Sequence, residues 1–417
     1  MSNRRVLAGL VRGGPMSLAQ HLSVHGGLPE LTEAATSRLI ADVEESGLRG
    51  RGGAAFPTAI KADAVAGTRR PLIVVNGAEG EPMSAKDRVL LSRAPHLVLD
   101  GAMLTAAATG AREVTVVAAA PALRHVAAAI EERRGLSEPT VKLRLEEGAP
   151  GYISGEETAL IAHLEGRQAL PRTKPPLPVE RGLRGRPTLV QNVETMAQVA
   201  LIARHGPAWF RERGTPEHPG TTLVTVSGAV NRPGVYEVQL GIPLRDLVTV
   251  AGGQVEPLRA LLVGGYFGTW VDRDALDLTL DAGALGRIGG GVGSGVVVAL
   301  GASACPVAET TRLVAWMNDE AAGQCGPCTF GLEALAALFA RFAEGRTERS
   351  DVERLKRWTS LIRGRGACHH PDGVARMVAS ATRVFGRELA DHARRGPCSG
   401  CAAAPTLRTP QRLERAA

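Results

Sequence analysis

Pro71-Leu-Ile-Val-Val-Asn-Gly-Ala-Glu-Gly-Glu-Pro82 is the stretch whose reading decides the fold. Its first half is a short, apolar, β-branched run, the pattern of a strand buried on both faces. The Asn76-Gly77 step ends that run and opens a loop carrying Glu79 and Glu81. Downstream, the spacing predicts a helix over 96–109, a strand over 113–117, a helix over 121–134 and a strand over 141–145. Strand–helix–strand alternation makes a parallel α/β sheet whose ligand sites lie at the C-terminal ends of its strands. Asn76, Glu79 and Glu81 stand at such an end, followed by Lys86-Asp-Arg88. That places polar groups where a polyol, a ribose or a polar ring edge would be held.

Immediately upstream runs Gly47-Leu-Arg-Gly-Arg-Gly-Gly-Ala-Ala-Phe-Pro-Thr-Ala-Ile-Lys61. Glycine lets a backbone turn tightly and approach a ligand closely. A helix starting near Ala54 would aim free N–H groups at a phosphate, with Arg49, Arg51 and Lys61 adding charge. The spacing matches neither the P-loop nor the G-x-G-x-x-G pattern, and a flexible Gly/Arg turn explains it equally well on its own. Before it, a mobile start leads to an amphipathic segment over 31–45, apolar at Leu31, Leu39, Ile40 and Val43.

A second glycine-led stretch, Gly151-Tyr-Ile-Ser-Gly-Glu-Glu-Thr-Ala-Leu160, enters a helix reaching Leu164. The loop over 171–187 is rich in proline and arginine, and its length without regular structure marks it as functional. Residues 187–195 lead into a helix through Ala203. At Gly220 the texture changes to strands over 221–227 and 235–238, a helix over 243–251 and a strand at Leu261-Leu-Val. This reads as a small β-grasp-like module with its return at Leu300. Beyond Cys305 the periodicity predicts helices over 307–320, 329–343, 352–362 and 373–389, a four-helix bundle.

The 417 residues suffice for two to three domains. The net charge of +7 is carried almost wholly by arginine, since the only lysines are Lys61, Lys86, Lys142, Lys174 and Lys356. A basic excess suits an acidic protein partner, although a biased codon pool explains it more simply, and no aromatic-interleaved basic patch points to nucleic acid. No apolar run reaches transmembrane length, and Arg12, Gly13 and Pro15 break any leader-like start, so a soluble cytoplasmic protein is expected. All six cysteines lie in the last third: Cys305, Cys325, Cys328, Cys368, Cys398 and Cys401. Cys325-Gly-Pro-Cys328 and Cys368 bring three thiols from two loops to one end of the bundle. Iron–sulfur ligation is the leading reading, with zinc completed by His369 or His370 as its competitor and inert buried cysteines as the third.

Taken in order, Gly50–Thr58, Asn76–Pro82 with Lys86-Asp-Arg88, Tyr152–Leu160, Lys174-Pro-Pro, Pro187–Thr195, Ser227–Gly234 and Cys325–Cys328 resemble the NADH-binding flavoprotein of bacterial respiratory complex I, the F subunit of NADH-quinone oxidoreductase. The resemblance covers roughly 48–389. It implies a Rossmann-like α/β domain binding FMN, a β-grasp domain of the soluble-ligand-binding kind, and a four-helix bundle carrying a [4Fe-4S] cluster. The boundaries it suggests are 1–45 for an N-terminal segment, 46–217, 218–304 and 305–392 for the three domains, and 393–417 for a tail. Carried over by motif, FMN would rest on Gly50, Gly52, Gly53, Lys61, Asn76, Glu79, Tyr152, Gly155, Glu156, Glu157 and Asn192. NAD(H) would meet Phe56, Glu81 and Lys174, with Glu81 and Glu156 as the carboxylates of the catalytic centre. Cys325, Cys328 and Cys368 would bind the cluster.

The chain departs from that family pattern at four places. Ala322 stands where the first clustered cysteine belongs, leaving Cys398, Cys401, His369 or water as the substitute fourth ligand. Ala78 replaces an acid and Gln191 an asparagine, while Ala64 and Leu177 stand where aromatics would line the nucleotide pocket. The implied activity is hydride transfer from NAD(P)H to FMN and one-electron transfer to the cluster, in an accessory paralogue. A flavin or Fe–S carrier or docking subunit without NADH oxidation is the alternative. The partner would be a ferredoxin-like or other Fe–S carrier subunit, or a membrane reductase. Cys305 is expected to be a buried small residue and His392 a solvated helix end; Cys398-Ser-Gly-Cys401 is a C-x-x-C with no matching family ligand, read first as part of a disordered tail and second as a metal-binding pair.

Overall fold

The computed structural model describes residues 4–10, 13–29, 32–136, 141–348 and 350–410. Leu31 and the end of the tail, 411–417, lie outside the described residues. Helices α1 (Leu18–His25), α2 (Glu33–Ser46) and α3 (Thr58–Asp63) precede β1 (Leu72–Gly77). Then follow α4 (Lys86–Arg93), α5 (Pro95–Thr109), β2 (Glu113–Ala118), α6 (Ala120–Glu132), β3 (Lys142–Glu147), α7 (Glu157–Leu164), β4 (Thr188–Asn192) and α8 (Val193–Arg211). The four strands form a parallel sheet in the order β3-β2-β1-β4.

β1 occupies the position its apolar run predicts, with Leu72, Ile73, Val74 and Val75 all buried. β4 was not foreseen, because a five-residue apolar run opening a helix is ambiguous by periodicity. Its pairing with β1, Leu72 opposite Thr188 through Asn76 opposite Asn192, puts two asparagines side by side at the strand ends. Helices α5 and α8 cross over the sheet in near contact: a Cβ on Gly101 would fall 1.8 Å from the Met196 carbonyl oxygen, so only glycine fits there. Helix α3 begins at Thr58 rather than near Ala54. Ala55 takes a positive φ of 50°, and a residue preceding Pro57 is pushed out of the helical region.

The second sheet contains β5 (Thr221–Gly228), β6 (Gly234–Gln239), β7 (Leu258–Val263), β8 (Thr269–Asp272) and β9 (Val296–Gly301), in the order β6-β5-β9-β7-β8. The β5–β9 pair is parallel and the other pairs are antiparallel. Helices α9 (Leu244–Val250) and α10 (Ala282–Arg287) accompany it. Period-two alternation gives each face its own core. Leu261, Val263, Val297 and Ala299 pack with α9, whereas Ala260, Leu262, Val298 and Leu300 join the helical domain.

That helical domain contains α11 (Pro306–Asp319), α12 (Glu333–Ala343), α13 (Asp351–Ile362), α14 (His370–Val384) and α15 (Gly386–Arg395). The single helix expected over 373–389 is therefore two. Phe385 leaves helical geometry at φ −107° and ψ 24°, and its ring packs edge-on against Trp270 at 5.0 Å. The tail also differs from expectation. Leu407 is 1% exposed within the same apolar core, and Glu309 at the start of α11 accepts from Thr406 N (2.9 Å) and Leu407 N (3.1 Å).

Candidate functional site

Strand order reverses between β1 and β4, and ligands of open α/β sheets bind in the crevice at that point. Asn76 Nδ2 donates to the Gly155 carbonyl (2.9 Å). Asn192 Nδ2 donates to the Asn76 carbonyl (3.2 Å) and to Asp87 Oδ2 (2.7 Å), and its Oδ1 accepts from Lys86 Nζ (2.9 Å). The glycine loop lies directly over these groups. Gly50 N donates to the Phe56 carbonyl (2.9 Å), Arg51 N donates to Thr195 Oγ1 (2.9 Å), and a Cβ on Gly52 would sit 3.3 Å from Asn192 Cβ. Gly53 has φ +113°, a backbone that side chains rarely adopt.

A cleft open to solvent is lined by Gly50, Arg51, Lys86, Gly293 and Gly295. Arg51, buried beside it, donates from Nη2 to the Thr221 carbonyl (3.0 Å), and its Nε faces Glu194 Oε1 at 3.8 Å in an ion pair. A glycine cradle, a buried guanidinium and a row of amides fit an anionic, polyol-bearing group such as FMN. The two motif lysines converge on one carboxylate: Lys61 Nζ and Lys174 Nζ each lie 2.7 Å from Glu157. Burial opposes that charge, but Lys61 and Lys174 outweigh it and hold Glu157 below the usual carboxylate range. Glu156 is the N-cap of α7, accepting from Thr158 N (2.8 Å) and Ala159 N (3.1 Å), with Lys174 Nζ 2.9 Å away.

Glu79 faces protein rather than the cleft. Its carboxylate accepts from Ser84 Oγ (2.7 Å), Asp87 N (2.9 Å) and Arg88 N (3.1 Å), capping α4. Glu81 is buried between the domains and accepts from Tyr266 N (2.8 Å) and Tyr152 Oη (3.3 Å). Burial pushes its carboxyl up to about 7. Phe56 projects outward, 51% exposed, as a stacking ring would. Tyr152 instead anchors an aromatic seam, with Phe267 at 4.8 Å, Trp316 at 5.6 Å, His370 at 6.0 Å and Tyr266 at 6.5 Å between ring centroids. In a chain where Phe, Trp and Tyr make up only 3% of residues, Tyr152, Tyr266, Phe267 and Trp316 meet at the junction of all three domains.

Cys325 and Cys328 open the turn before α12, and Cys368 lies in the loop before α14. Burial, followed by its neighbours Cys325 and Cys368, pushes the Cys328 thiol up to about 12. The Cys368 thiol is raised by burial and then by Glu156, so this trio borders the carboxylates of the first domain. Three thiols fit three corners of an iron–sulfur cluster. The Ala322 methyl offers no ligand. His370 is committed elsewhere, its Nε2 2.8 Å from the Met317 carbonyl, whereas the His369 side chain is 92% exposed.

The tail cysteines are not with this trio. Cys398 and Cys401 gather with His392 of α15 and with Cys305, the N-cap of α11, whereas Cys325 lies beyond the far end of that helix. Fourteen residues of helix separate the two places, roughly 21 Å at the ordinary rise, so the tail does not supply the missing ligand. Nor is His392 a solvated helix end; it is 2% exposed. Sequence reasoning also missed Glu194, which is fully buried and joins the domains by accepting from Leu223 N (2.9 Å) while pairing with Lys86 (3.1 Å). Burial disfavours the Lys86 ammonium, but Asp87 and Glu194 outweigh it and raise its pKa. The one available signal was a lysine in a lysine-poor chain.

Three family models match the chain: the Nuo51 FMN-binding domain over 43–201, the SLBB domain over 223–264, and the NADH-ubiquinone oxidoreductase-F iron-sulfur binding region over 308–392. An F subunit of NADH-quinone oxidoreductase from Rhizobium meliloti (strain 1021), the one numbered 2, is 35% identical over 385 residues, covering 88% of this chain and 91% of the relative. The F subunit of the same enzyme from Mycobacterium tuberculosis (strain H37Rv) is 36% identical over 380 residues, covering 86% of this chain and 85% of the relative. Among solved structures, a chain of an NAD+-reducing [NiFe]-hydrogenase in the H2-reduced state is 34% identical with a TM-score of 0.81. The match covers 86% of this chain but 63% of the hydrogenase chain.

Proposed function

Because the chain belongs to the family of NADH-quinone oxidoreductase F subunits, we propose that the crevice between β1 and β4 is the flavin site of an NADH-oxidising subunit that delivers electrons across the aromatic seam to Cys325, Cys328 and Cys368. The protein is an FMN electron-transfer subunit of the complex I type, an oxidoreductase of the NADH dehydrogenase kind. Bound FMN supplies hydride acceptance and one-electron donation. The observation that carries the site assignment is the glycine loop lying over Asn192, whose side chain donates to the Asn76 carbonyl.

In this reading Gly50, Gly52, Gly53, Asn76, Gly155 and Asn192 hold the flavin's polar edge and ribityl chain. Lys61 and Lys174 fix Glu157, and Lys174 and the α7 amides fix Glu156, so both carboxylates keep one orientation. Phe56 offers its open face to the nicotinamide nucleotide. Glu81 Oε2, held by Tyr266 N, keeps a proton near neutrality. Glu79 and Tyr152 act at one remove, through α4 and through the aromatic seam. His369 or a solvent ligand takes the place left by Ala322.

The domain reading follows the same lines: a Rossmann-like unit over 46–217, a β-grasp unit over 218–304 and an Fe–S helical unit over 305–392. No helix among the described residues is long and apolar enough to cross a membrane. Cytoplasmic placement and a ferredoxin-like or other Fe–S partner subunit belong to the proposal. The test is anaerobic addition of NADH to purified protein carrying stoichiometric FMN. Bleaching of the flavin band, lost in Phe56→Ala at limiting NADH, is expected. A flavin that stays oxidised overturns the NADH-oxidising reading.

A further inference from the structure

Cys305, His392, Cys398 and Cys401 present their ligand atoms within 4.8 Å of one another, the one such group of three or more found among the described residues. Cys305 Sγ lies 3.5 Å from His392 Nε2, Cys401 Sγ lies 3.9 Å from the same nitrogen, and Cys398 Sγ lies 3.9 Å from Cys401 Sγ. A tetrahedral zinc ion with ordinary Zn–S and Zn–N bonds needs sulfur–sulfur separations of about 3.8 Å and sulfur–nitrogen separations of about 3.6 Å. The three separations just given match those values, and every other pair in the group lies within 4.8 Å. A cubane cluster, whose ligands each bind a different iron, needs its sulfurs much wider apart.

The surroundings are those of a ligand set. His392 Nδ1 lies 3.2 Å from the Phe342 carbonyl, to which it donates. That bond fixes the tautomer in which Nε2 is a bare lone pair facing the three sulfurs. Cys305 is the N-cap of α11 and its Sγ accepts from Ala308 N (3.4 Å), which fixes the sulfur's position beside His392. The Cys398–Cys401 turn seats against the Cys305 loop so closely that a Cβ on Gly400 would come within 3.0 Å of the Ser303 carbonyl. Four donors thus converge from three segments of the chain, two of them buried.

We propose that this is a mononuclear zinc site of the Cys₃His type, separate from the iron–sulfur ligands, which staples the tail to the start of α11. From that staple the chain runs the length of α11. Leu407 enters the core, Tyr266 Oη donates to the Arg408 carbonyl (2.5 Å), and Trp316 Nε1 donates to the Pro410 carbonyl (2.7 Å). The metal therefore fixes a strap that ends at the aromatic seam.

The experiment is metal analysis of the full-length protein purified without chelator, with zinc, iron, sulfide and flavin measured on one sample. One zinc per chain is expected. Cys398→Ser with Cys401→Ser should cut zinc occupancy at least tenfold, as the loss of two of four ligands would, while flavin and iron stay unchanged. His392→Cys, which keeps four donors, should retain the metal and so separates ligand loss from misfolding. Cobalt(II) loaded into wild type should show the thiolate charge-transfer bands of a tetrahedral site, and these should be absent from the double serine variant. Zinc that persists in that variant overturns the proposal. So does wild-type protein without zinc whose Cys398 and Cys401 are disulfide-linked, and so does iron lost in place of zinc.

Discussion

The two ends of α11 carry two cysteine sites that differ in a telling way. The end facing the flavin domain has a motif match, Cys325-Gly-Pro-Cys328 with Cys368, yet lacks one ligand at Ala322. The other end matches no expected ligand position, yet has a complete set of four donors at single-ion spacing. Motif and geometry therefore rank the two sites in opposite orders. The difference follows from what each would hold: a cluster tolerates widely spaced thiols from two loops, whereas one zinc ion demands convergence that only tertiary packing creates.

The largest effect should come from cutting the front site alone. Cys328→Ser removes a buried thiol from a set of three and should weaken iron binding by a factor on the order of 100. Zinc content should not move. Iron and sulfide analysis beside zinc analysis checks both halves. Loss of both metals together would mean that the two ends are not independent.

Glu81 sharpens the same contrast on the flavin side, because its environment writes a pH dependence into the front seam. Burial raises its folded pKa to about 7, above an ordinary value of 4.5. Below pH 4.5 both folded and unfolded chains hold the proton. Between 4.5 and 7 the unfolded chain releases it while the folded chain keeps it, so stability falls as pH rises through that window. The cumulative loss is about 3 kcal/mol. Glu81→Gln cannot ionise and should flatten this part of the curve. Urea unfolding of both proteins at pH 4.5 and pH 7 measures it; equal pH slopes would refute the assignment.

Glu309 tests the strap between the ends. Its carboxylate is 1% exposed and accepts the amides of Thr406 and Leu407. Glu309→Ala strands those donors and should cost about 2 kcal/mol. The indole of Trp316, which donates to Pro410, should report release of the strap by a red-shifted emission. Zinc should remain, because Cys398 and Cys401 precede the freed segment. An unchanged denaturation midpoint would show that the strap contributes nothing.

The order of elements was readable because β1, β2 and α5 carry long apolar or β-branched runs whose period leaves little choice. The glycine loop was readable as a unit, and its place over Asn192 follows from β4, which was hidden inside an apparent helix start. Glu79 shows how local packing complicates such a reading. Its position after a strand says "ligand", but three nearby donors at the start of α4 claim its oxygens. Glu194 and the Cys305–His392–Cys398–Cys401 group were illegible for a common reason. Leu223 lies 29 residues from Glu194, and His392 lies 87 residues from Cys305. Neither periodicity nor local spacing carries information over such distances.

The smallest structural change gives the sharpest reading of the front site. Ala322 follows α11 at a half-buried position, so a sulfur added there meets little crowding, and Ala322→Cys should alter stability by less than about 0.5 kcal/mol. Its consequence should be chemical. If Cys325, Cys328 and Cys368 hold three corners of a cluster, a thiolate at 322 supplies the fourth, replacing a weaker donor such as His369 or water. Iron occupancy should then rise towards four per chain, and the reduced cluster's paramagnetic spectrum should change while zinc stays constant. The same substitution in a chain whose front site bound a single ion would leave the iron count untouched. Position 322 thus separates a cluster with a substituted corner from a site that has given up cluster chemistry, with the zinc at the far end of α11 as the internal control.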